Sequence, residues 1–135
     1  MNIARIMVPK ALTIFLHEDD TLRQGLETFS RHGYTAVPVL DARDRYIGSI
    51  AEGDFLRYML DTGSVELHSL EAHRVKDILR PDFCPAISIN AEEQTVIDFV
   101  LDQNFVPVVD DRNALCGIIT RRELIAYMAH RTITH

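Results

Sequence analysis

Apolar residues in the first half of the chain alternate between a two-residue spacing and a helical spacing. The period of two at positions 12–16 predicts a strand, and the helical period at 22–29 predicts a helix after it. Short apolar runs at 37–40 and 46–50 then predict two antiparallel strands joined by a polar turn. A second helical pattern over 52–60 ends at a Gly-containing break, so this half is predicted to have the element order β-α-β-β-α.

The second half of the chain repeats that order of elements. A strand pattern at 86–89 precedes a helix whose buried face is predicted at 96–100. Apolar runs at 106–109 and 115–119 predict two more strands, and a helical pattern follows from residue 121. The chain is therefore predicted to contain two α/β halves of similar construction.

Identical residues at matching places indicate that the halves are copies of one another. The shift that places Gly48 on Gly117 also aligns a strand proline, a valine, an aspartate, a tyrosine and a methionine of each half. These pairs are Pro38 and Pro107, Val39 and Val108, Asp41 and Asp110, Tyr58 and Tyr127, and Met59 and Met128. A series of this length is typical of an internal duplication.

The duplication predicts the domain organisation. We place the first repeat at 1–62, a polar connector at 63–74 and the second repeat at 75–135. Because the strands are short, neither half is expected to have enough core alone, and we expect the two to pack about a pseudo-twofold axis. Small ligands prefer clefts where such halves meet, so we expect a ligand there.

The stretch 117–123 joins a strand to a helix and carries two adjacent arginines. Thr120 and Glu123 fit a capping box, in which the hydroxyl and the carboxylate satisfy unpaired backbone N–H groups. That arrangement does not explain Arg121 and Arg122, because cations at a helix N-terminus oppose the macrodipole. A bound phosphate would reverse this argument, since free N–H groups and guanidinium groups would both face it. Two solvated surface arginines are the alternative.

Charge and hydropathy narrow the function classes. A net charge of −6 and a pI of about 5.4 argue against general nucleic-acid binding, which requires a basic face. No apolar run approaches the roughly 18–20 residues of a membrane span, and the N-terminal residues lack the layout of a signal peptide. We therefore expect a cytoplasmic protein that contacts neither nucleic acid nor membrane.

Side chains that could carry chemistry are scattered along the sequence. Cys84 and Cys116 lack C-x-x-C spacing, and His68 and His73 miss the i, i+4 spacing that would direct both at one metal. We therefore predict no metal site and no disulfide. The serines lack a nucleophile elbow, and neither cysteine has a histidine placed by a motif, so we expect no catalytic activity and no cofactor.

Over nearly the whole chain, these motifs resemble a tandem pair of cystathionine-β-synthase (CBS) domains, also called a Bateman module. The resemblance is carried by the two Val-Pro-Val strands at 37–39 and 106–108 and by the two turn glycines. Residues 33–41 and 117–122, together with the segment 70–79, are also similar to the stand-alone CBS-pair proteins of Gram-positive bacteria that bind cyclic di-AMP. Members of that subgroup are non-catalytic and pass nucleotide occupancy on to partner proteins.

The resemblance implies two ligand sites of unequal strength. In the first, an apolar slot holds the adenine, and the turn of the other repeat closes on the ribose and phosphates. Its implied residues are Leu12, Ile14, Tyr34, Thr35, Ala36, Pro38, Thr120, Arg121, Arg122 and Glu123. The second site is implied at Asp54, Ala86, Asn104 and Phe105. Because the turn at Asp54 carries no arginine, we expect this second site to be weaker or empty.

Two departures from the CBS motif leave the ligand open. The motif usually has Ser or Thr followed by Asp after the turn glycine, whereas the first repeat has Ala51 with Asp54 and the second has Thr120 with Glu123. The resemblance implies a homodimeric regulatory module that binds cyclic di-AMP, or AMP, ADP or ATP, and signals to a protein partner. The alternative is a structural or dimerisation module that binds no nucleotide.

Overall fold

The computed structural model describes residues 1–63 and 66–134 as α/β structure. The helices are α1 (Ile3–Ile6), α2 (Leu22–His32), α3 (Glu52–Thr62), α4 (Leu67–Ala72), α5 (Glu93–Asp102) and α6 (Arg121–Thr134). The strands are β1 (Val8–Pro9), β2 (Leu16–His17), β3 (Ala36–Leu40), β4 (Tyr46–Ala51), β5 (Ile87–Ser88), β6 (Phe105–Val109) and β7 (Leu115–Thr120). The element order predicted for each half is confirmed.

The chain divides into two units, which we name by the repeat that supplies most of each. The first-repeat unit comprises Ile14–Phe83, and the second-repeat unit comprises Met1–Thr13 together with the chain from Cys84 onward. These units differ from the stretches 1–62 and 75–135, because the short segment before each repeat packs with the other repeat. The repeat boundaries themselves stay a prediction.

The first-repeat unit contains a sheet with the strand order β2-β3-β4. Strands β2 and β3 are parallel, and β3 and β4 are antiparallel, with Pro38 opposite Ser49. Although β3 is the middle strand, Pro38 is tolerated because β2 pairs with β3 only at Val39 and Leu40. The buried core contains Leu16, Leu22, Phe29, Val37, Val39, Ile50, Phe55, Leu70 and Val75.

The second-repeat unit contains a sheet with the strand order β1-β7-β6-β5. Strands β6 and β7 are antiparallel, β5 is parallel to β6, and β1 lies antiparallel to the outer side of β7. Ile3 of α1 is buried in this unit, whose core also contains Ile87, Val96, Val100, Val106, Val108, Ile119 and Leu124. Each unit therefore has a hydrophobic core of its own.

Local capping interactions fix both ends of α2. The Thr21 hydroxyl accepts a hydrogen bond from the Gln24 backbone N–H at 3.1 Å, and the Gln24 side chain accepts one from the Thr21 N–H at 2.8 Å. Gly33 ends the helix in the left-handed conformation, with a φ of 67°. Both features satisfy backbone groups that a helix leaves unpaired at its ends.

The strand predicted at 12–16 is wrong over most of its length. Lys10–Leu12 form a 3-10 turn, and only Leu16 of the predicted stretch lies in β2. The Thr13 hydroxyl donates a hydrogen bond to the Pro9 carbonyl at 2.9 Å, which stabilises the turn against an extended conformation. Leu12 is consequently 73% exposed, whereas Ile14 packs against the core of the first-repeat unit.

A close backbone crossing explains the turn glycine of each repeat. Val8 and Pro9 pair with Ile118 and Gly117, and a Cβ atom on Gly117 would overlap the Val8 carbonyl oxygen. In the first-repeat unit, a Cβ on Gly48 would lie 2.8 Å from the Arg80 carbonyl oxygen. Only glycine permits this approach, so both glycines are needed for the preceding segment to reach the strand.

No helix among the described residues is long and apolar enough to cross a membrane.

Replacing Gly117 by alanine is expected to destabilise the protein by about 1–3 kcal/mol, because the added methyl group overpacks a rigid backbone contact. Gly53→Ala is the matched control, since Gly53 lies in α3 and nothing occupies the space its Cβ would take. That change is expected to stabilise by about 0.4–1 kcal/mol. Urea denaturation measures both values, and equal effects of the two substitutions would contradict the crossing as the reason for Gly117.

Candidate functional site

The turn between β7 and α6 is held by Glu123. Its carboxylate accepts a hydrogen bond from the Thr120 backbone N–H at 2.8 Å, and the same oxygen accepts the Thr120 hydroxyl proton. The carboxylate half of the predicted capping box is confirmed. The hydroxyl half differs, because Thr120 donates to Glu123 where a capping box would have it accept from the backbone. Glu123 thus aligns the first turn of α6 and keeps a half-exposed carboxylate at this point.

Arg121 is committed to another helix of its own unit. Its Nε donates to the Val100 carbonyl at 3.1 Å, a terminal nitrogen donates to the Leu101 carbonyl at 3.2 Å, and the other lies 3.5 Å from the Asn104 side-chain oxygen. These carbonyls lie in the last turn of α5, where the macrodipole favours a cation. The α5 terminus therefore explains Arg121 without a ligand.

Arg122 differs from its neighbour. It lies exposed in the first turn of α6, and its guanidinium makes no hydrogen bond or ion pair with residues 1–63 or 66–134. An arginine with its donors available, next to the N-terminal N–H groups of a long helix, has the chemistry that binds a phosphate. Of the two turn arginines, Arg122 is the one available to an anion.

Two residues of the predicted weaker site lie beside this turn. Phe105 is paired with Thr120 across β6 and β7, and Asn104 is the residue whose side chain contacts Arg121. Gln103 fixes this corner by donating to the Pro85 and Phe105 carbonyls at 3.2 and 3.1 Å. Ala86, which follows Pro85 in the chain and also belongs to the predicted weaker site, is half-buried.

The first-repeat unit presents the predicted adenine residues at the corresponding corner. Tyr34 follows Gly33, is 47% exposed and stacks on the His32 ring at a centroid distance of 6.1 Å. The Thr35 carbonyl accepts a hydrogen bond from the Glu52 N–H at 3.0 Å, and Ala36 pairs with Ala51. An exposed aromatic ring and a half-buried strand end thus lie beside the turn between β4 and α3.

Asp54 is the buried carboxylate of that turn, with 2% of its side chain exposed. It accepts hydrogen bonds from the Ala51 N–H at 2.7 Å, from Arg57 at 3.3 Å and from the Arg80 Nε at 2.8 Å. Arg80 also lies over the Phe83 ring, 4.0 Å from its centroid. Asp54, Arg57 and Arg80 form a charged cluster. This cluster lines a pocket of about 300 Å³ together with Tyr58, Asp61, Asp77 and Ile78.

The turn at Asp54 carries no arginine of its own, but two arginines from outside the turn reach its carboxylate. Arg57 follows it by one helical turn, and Arg80 reaches it from the segment before the second repeat. The sequence contained one signal for this contact, since Arg80-Pro81 occupies the place in its segment that Val8-Pro9 occupies in the other. Because that pairing crosses the repeat boundary, the periodicity alone did not reveal it.

The predicted site residues are divided between the two units. Tyr34, Thr35, Ala36, Pro38, Ile14 and Asp54 lie in the first-repeat unit. Leu12, Ala86, Asn104, Phe105 and the turn residues Thr120, Arg121, Arg122 and Glu123 lie in the second-repeat unit. Their combination into ligand sites stays a prediction from the sequence.

Cys84 and Cys116 are not joined in a disulfide. Cys84 is buried, and Cys116 is half-buried. Burial raises the pKa of the Cys116 thiol, and the negative charge of Asp110 raises it further. A raised pKa makes the thiolate scarce at neutral pH, so Cys116 is poorly suited to be a nucleophile. Within the described part of the chain, no three His, Cys, Asp or Glu residues are grouped to hold a metal ion.

Two α/β units that arise by duplication, each with a carboxylate at its strand-to-helix turn, define a tandem-repeat domain pair. The CBS domain family model matches residues 3–61 and 75–130. The chain therefore belongs to the CBS domain family, and the fold expected from the resemblance is confirmed.

Individual relatives differ in how much of their length is matched. The chain is 25% identical to cyclic di-AMP receptor B of Bacillus subtilis over 124 residues, which cover 92% of this chain and 84% of the receptor. It is 26% identical to inosine-5'-monophosphate dehydrogenase of Methanocaldococcus jannaschii over 113 residues, which span only 21% of that enzyme. The solved structure of Listeria monocytogenes CbpB in complex with c-di-AMP matches with a TM-score of 0.83 and 26% identity, over 99% of this chain and 98% of that one.

Substitution of the two turn arginines should separate their roles. Arg121→Ala is expected to lower the free energy of unfolding by about 1–2 kcal/mol, because the carbonyls at the end of α5 lose their charged donor. Arg122→Ala removes the arginine at the next position. Its free energy of unfolding is expected to stay within about 0.5 kcal/mol of that of the unsubstituted protein. Urea denaturation measures both, and a larger loss for Arg122→Ala would contradict the assignment.

Proposed function

We propose that this chain is a non-catalytic regulatory module that binds an adenine nucleotide, with cyclic di-AMP favoured over AMP, ADP and ATP. The observation that carries the proposal is the exposed Arg122 guanidinium, which has no partner among the described residues, beside Glu123 at the N-terminus of α6. The likeness to a cyclic di-AMP receptor and to CbpB, over most of each chain, supports the choice of ligand.

The chemistry of the turn suits a phosphodiester better than a neutral ligand. Arg122 offers a planar fork of N–H donors that matches two phosphate oxygens, and the first turn of α6 adds the positive end of a helix dipole. Glu123 keeps an acceptor that a ribose hydroxyl can reach. As the CBS resemblance implies, we assign the phosphate and ribose to 120–123 and the adenine to Ile14, Tyr34, Thr35, Ala36 and Pro38, with Leu12 at its edge.

The regulatory part of the proposal follows from population shift. A bound nucleotide can alter the surface that the module shows to a protein only as far as it binds one conformation better than another. We propose that the chain acts as a cytoplasmic homodimer, without a cofactor, and that nucleotide occupancy changes its affinity for a partner protein.

The CBS domain family also occurs as part of larger proteins, since the chain spans 21% of the matched dehydrogenase.

Thermal unfolding with different nucleotides tests the ligand. Cyclic di-AMP at a hundred times its dissociation constant is expected to add about 2.7 kcal/mol of stability, because it binds the folded state alone. At this chain length, that is an increase in Tm of several degrees. AMP, ADP and ATP at the same concentration should give smaller shifts, because weaker binding adds less stability. A larger shift with a mononucleotide would reassign the ligand, and no shift with any of them would favour the dimerisation module.

Arg122→Ala tests the residue that carries the proposal. Loss of hydrogen bonds between a charged donor and a charged acceptor is expected to weaken cyclic di-AMP binding by roughly ten- to a hundredfold, measured by titration calorimetry. Arg112→Ala is the matched control, because Arg112 is an exposed arginine of the same repeat in the turn between β6 and β7. Equal affinity of both variants would remove Arg122 from the site.

A further inference from the structure

The carboxylates at the two equivalent turns have different partners. Asp54 in the first-repeat unit and Glu123 in the second-repeat unit occupy matching places after the turn glycines. Resting on the proposed function, we infer that the Arg80 guanidinium occupies the Asp54 carboxylate, keeps that carboxylate from binding a nucleotide ribose and so limits each chain to one bound nucleotide. Arg80 is thus a residue that determines ligand number.

The backbone register shows which residue corresponds to Arg80 in the other unit. Arg80 forms a bridge to Ser49, directly after Gly48, and Val8 pairs with Ile118, directly after Gly117. The duplication therefore supplies an internal comparison in which an arginine at one position is replaced by a valine at the other. A valine side chain has no hydrogen-bond donor, so Val8 cannot form a counterpart of the contact between Arg80 and Asp54.

A second arginine follows the same asymmetry. Arg57 lies one helical turn after Asp54 and contacts it at 3.3 Å, whereas the matching position after Glu123 is Ala126. Among the described residues, the hydrogen bonds to Glu123 come from Thr120 alone. The Glu123 carboxylate is thus available to a ligand, while the Asp54 carboxylate has its neutralising partners within its own unit.

The geometry at Asp54 leaves little for a ribose. A carboxylate has about four lone-pair directions, and three donors already approach Asp54. The two hydroxyl groups of a ribose would have to displace Arg80. The Asp54 carboxylate, whose side chain is 2% exposed, would then lose its closest charged partner. Such a buried charge strongly favours its ion pair, so a neutral sugar hydroxyl competes poorly for the same oxygen.

Arg80 is also fixed from other directions. Its backbone is held by the bridge to Ser49, which is fully buried, and its guanidinium carbon lies over the Phe83 ring, 4.0 Å from the ring centroid. The Nε to Asp54 distance is 2.8 Å, the shortest of the arginine contacts in this cluster. The contact therefore joins a buried carboxylate to an arginine whose side chain is 44% exposed but is held in place by its backbone and by Phe83.

Titration calorimetry in two stages tests the inference. The protein is first saturated with cyclic di-AMP, and AMP is then added, so that any further site is counted separately. The unsubstituted protein is expected to bind one cyclic di-AMP per chain and no AMP. Arg80→Met, which keeps an apolar side chain against Phe83 but removes the charge, is expected to bind one AMP in addition. Arg80→Met with Asp54→Asn should lose that AMP, because the new site needs the carboxylate.

Arg57→Met is the matched control. It removes the more exposed arginine of the cluster but leaves Arg80 on Asp54, so it is expected to bind no additional AMP. Circular dichroism establishes that each variant is folded. A second nucleotide on the unsubstituted protein overturns the inference whether or not Arg80→Met folds. A folded Arg80→Met variant that binds no AMP also overturns it.

The two proposals fail in distinguishable ways. If cyclic di-AMP does not bind the unsubstituted protein, the proposed ligand is overturned. AMP titration of Arg80→Met against the unsubstituted protein then still decides the inference, because one additional AMP is expected in the variant. If neither protein binds either nucleotide, both the proposed function and the inference are overturned.

Discussion

The close crossing of a backbone segment over each turn glycine is the constraint on which the rest of the structure depends. At Gly117 the Val8 carbonyl fills the space of a Cβ, and at Gly48 the Arg80 carbonyl does so. Because no other residue type tolerates that approach, the glycines fix which segment pairs with which strand. The crossing thereby decides the composition of each unit, and it places residue 80 within reach of the Asp54 carboxylate.

Duplication gave the two units the same buried framework and different turn chemistry. Matching core positions remain apolar and fully buried, as with Val39 and Val108 or Ile50 and Ile119. The polar positions that follow differ, with Asp54 neutralised within its unit and Glu123 bonded only to Thr120 among the described residues. Packing restricts a core residue to a narrow range of volumes, whereas a turn residue can change charge without disturbing the core.

Features that depend on neighbouring residues could be predicted from the sequence. The spacing of apolar residues predicted the element order. The caps at Thr21 and Gly33 are equally local, because capping boxes and left-handed turns act over a few residues. The strand predicted at 12–16 is wrong since a local hydrogen bond from Thr13 to Pro9 favours a turn, and alternation alone does not include that competition.

Contacts between distant positions were beyond the reach of such patterns. Arg121 bonds to Val100, 21 residues away, and Arg80 to Asp54 across the repeat boundary, and neither pairing has a periodicity. Both matter for the candidate site, because an arginine is an anion ligand only if its own protein has not already used its donors. Two adjacent arginines in a sequence therefore indicate the charge near a turn, but the partners of each decide its chemistry. In this chain, the α5 carbonyls hold Arg121 and Asp54 holds Arg80, so Arg122 is the turn residue whose charge a phosphate can use.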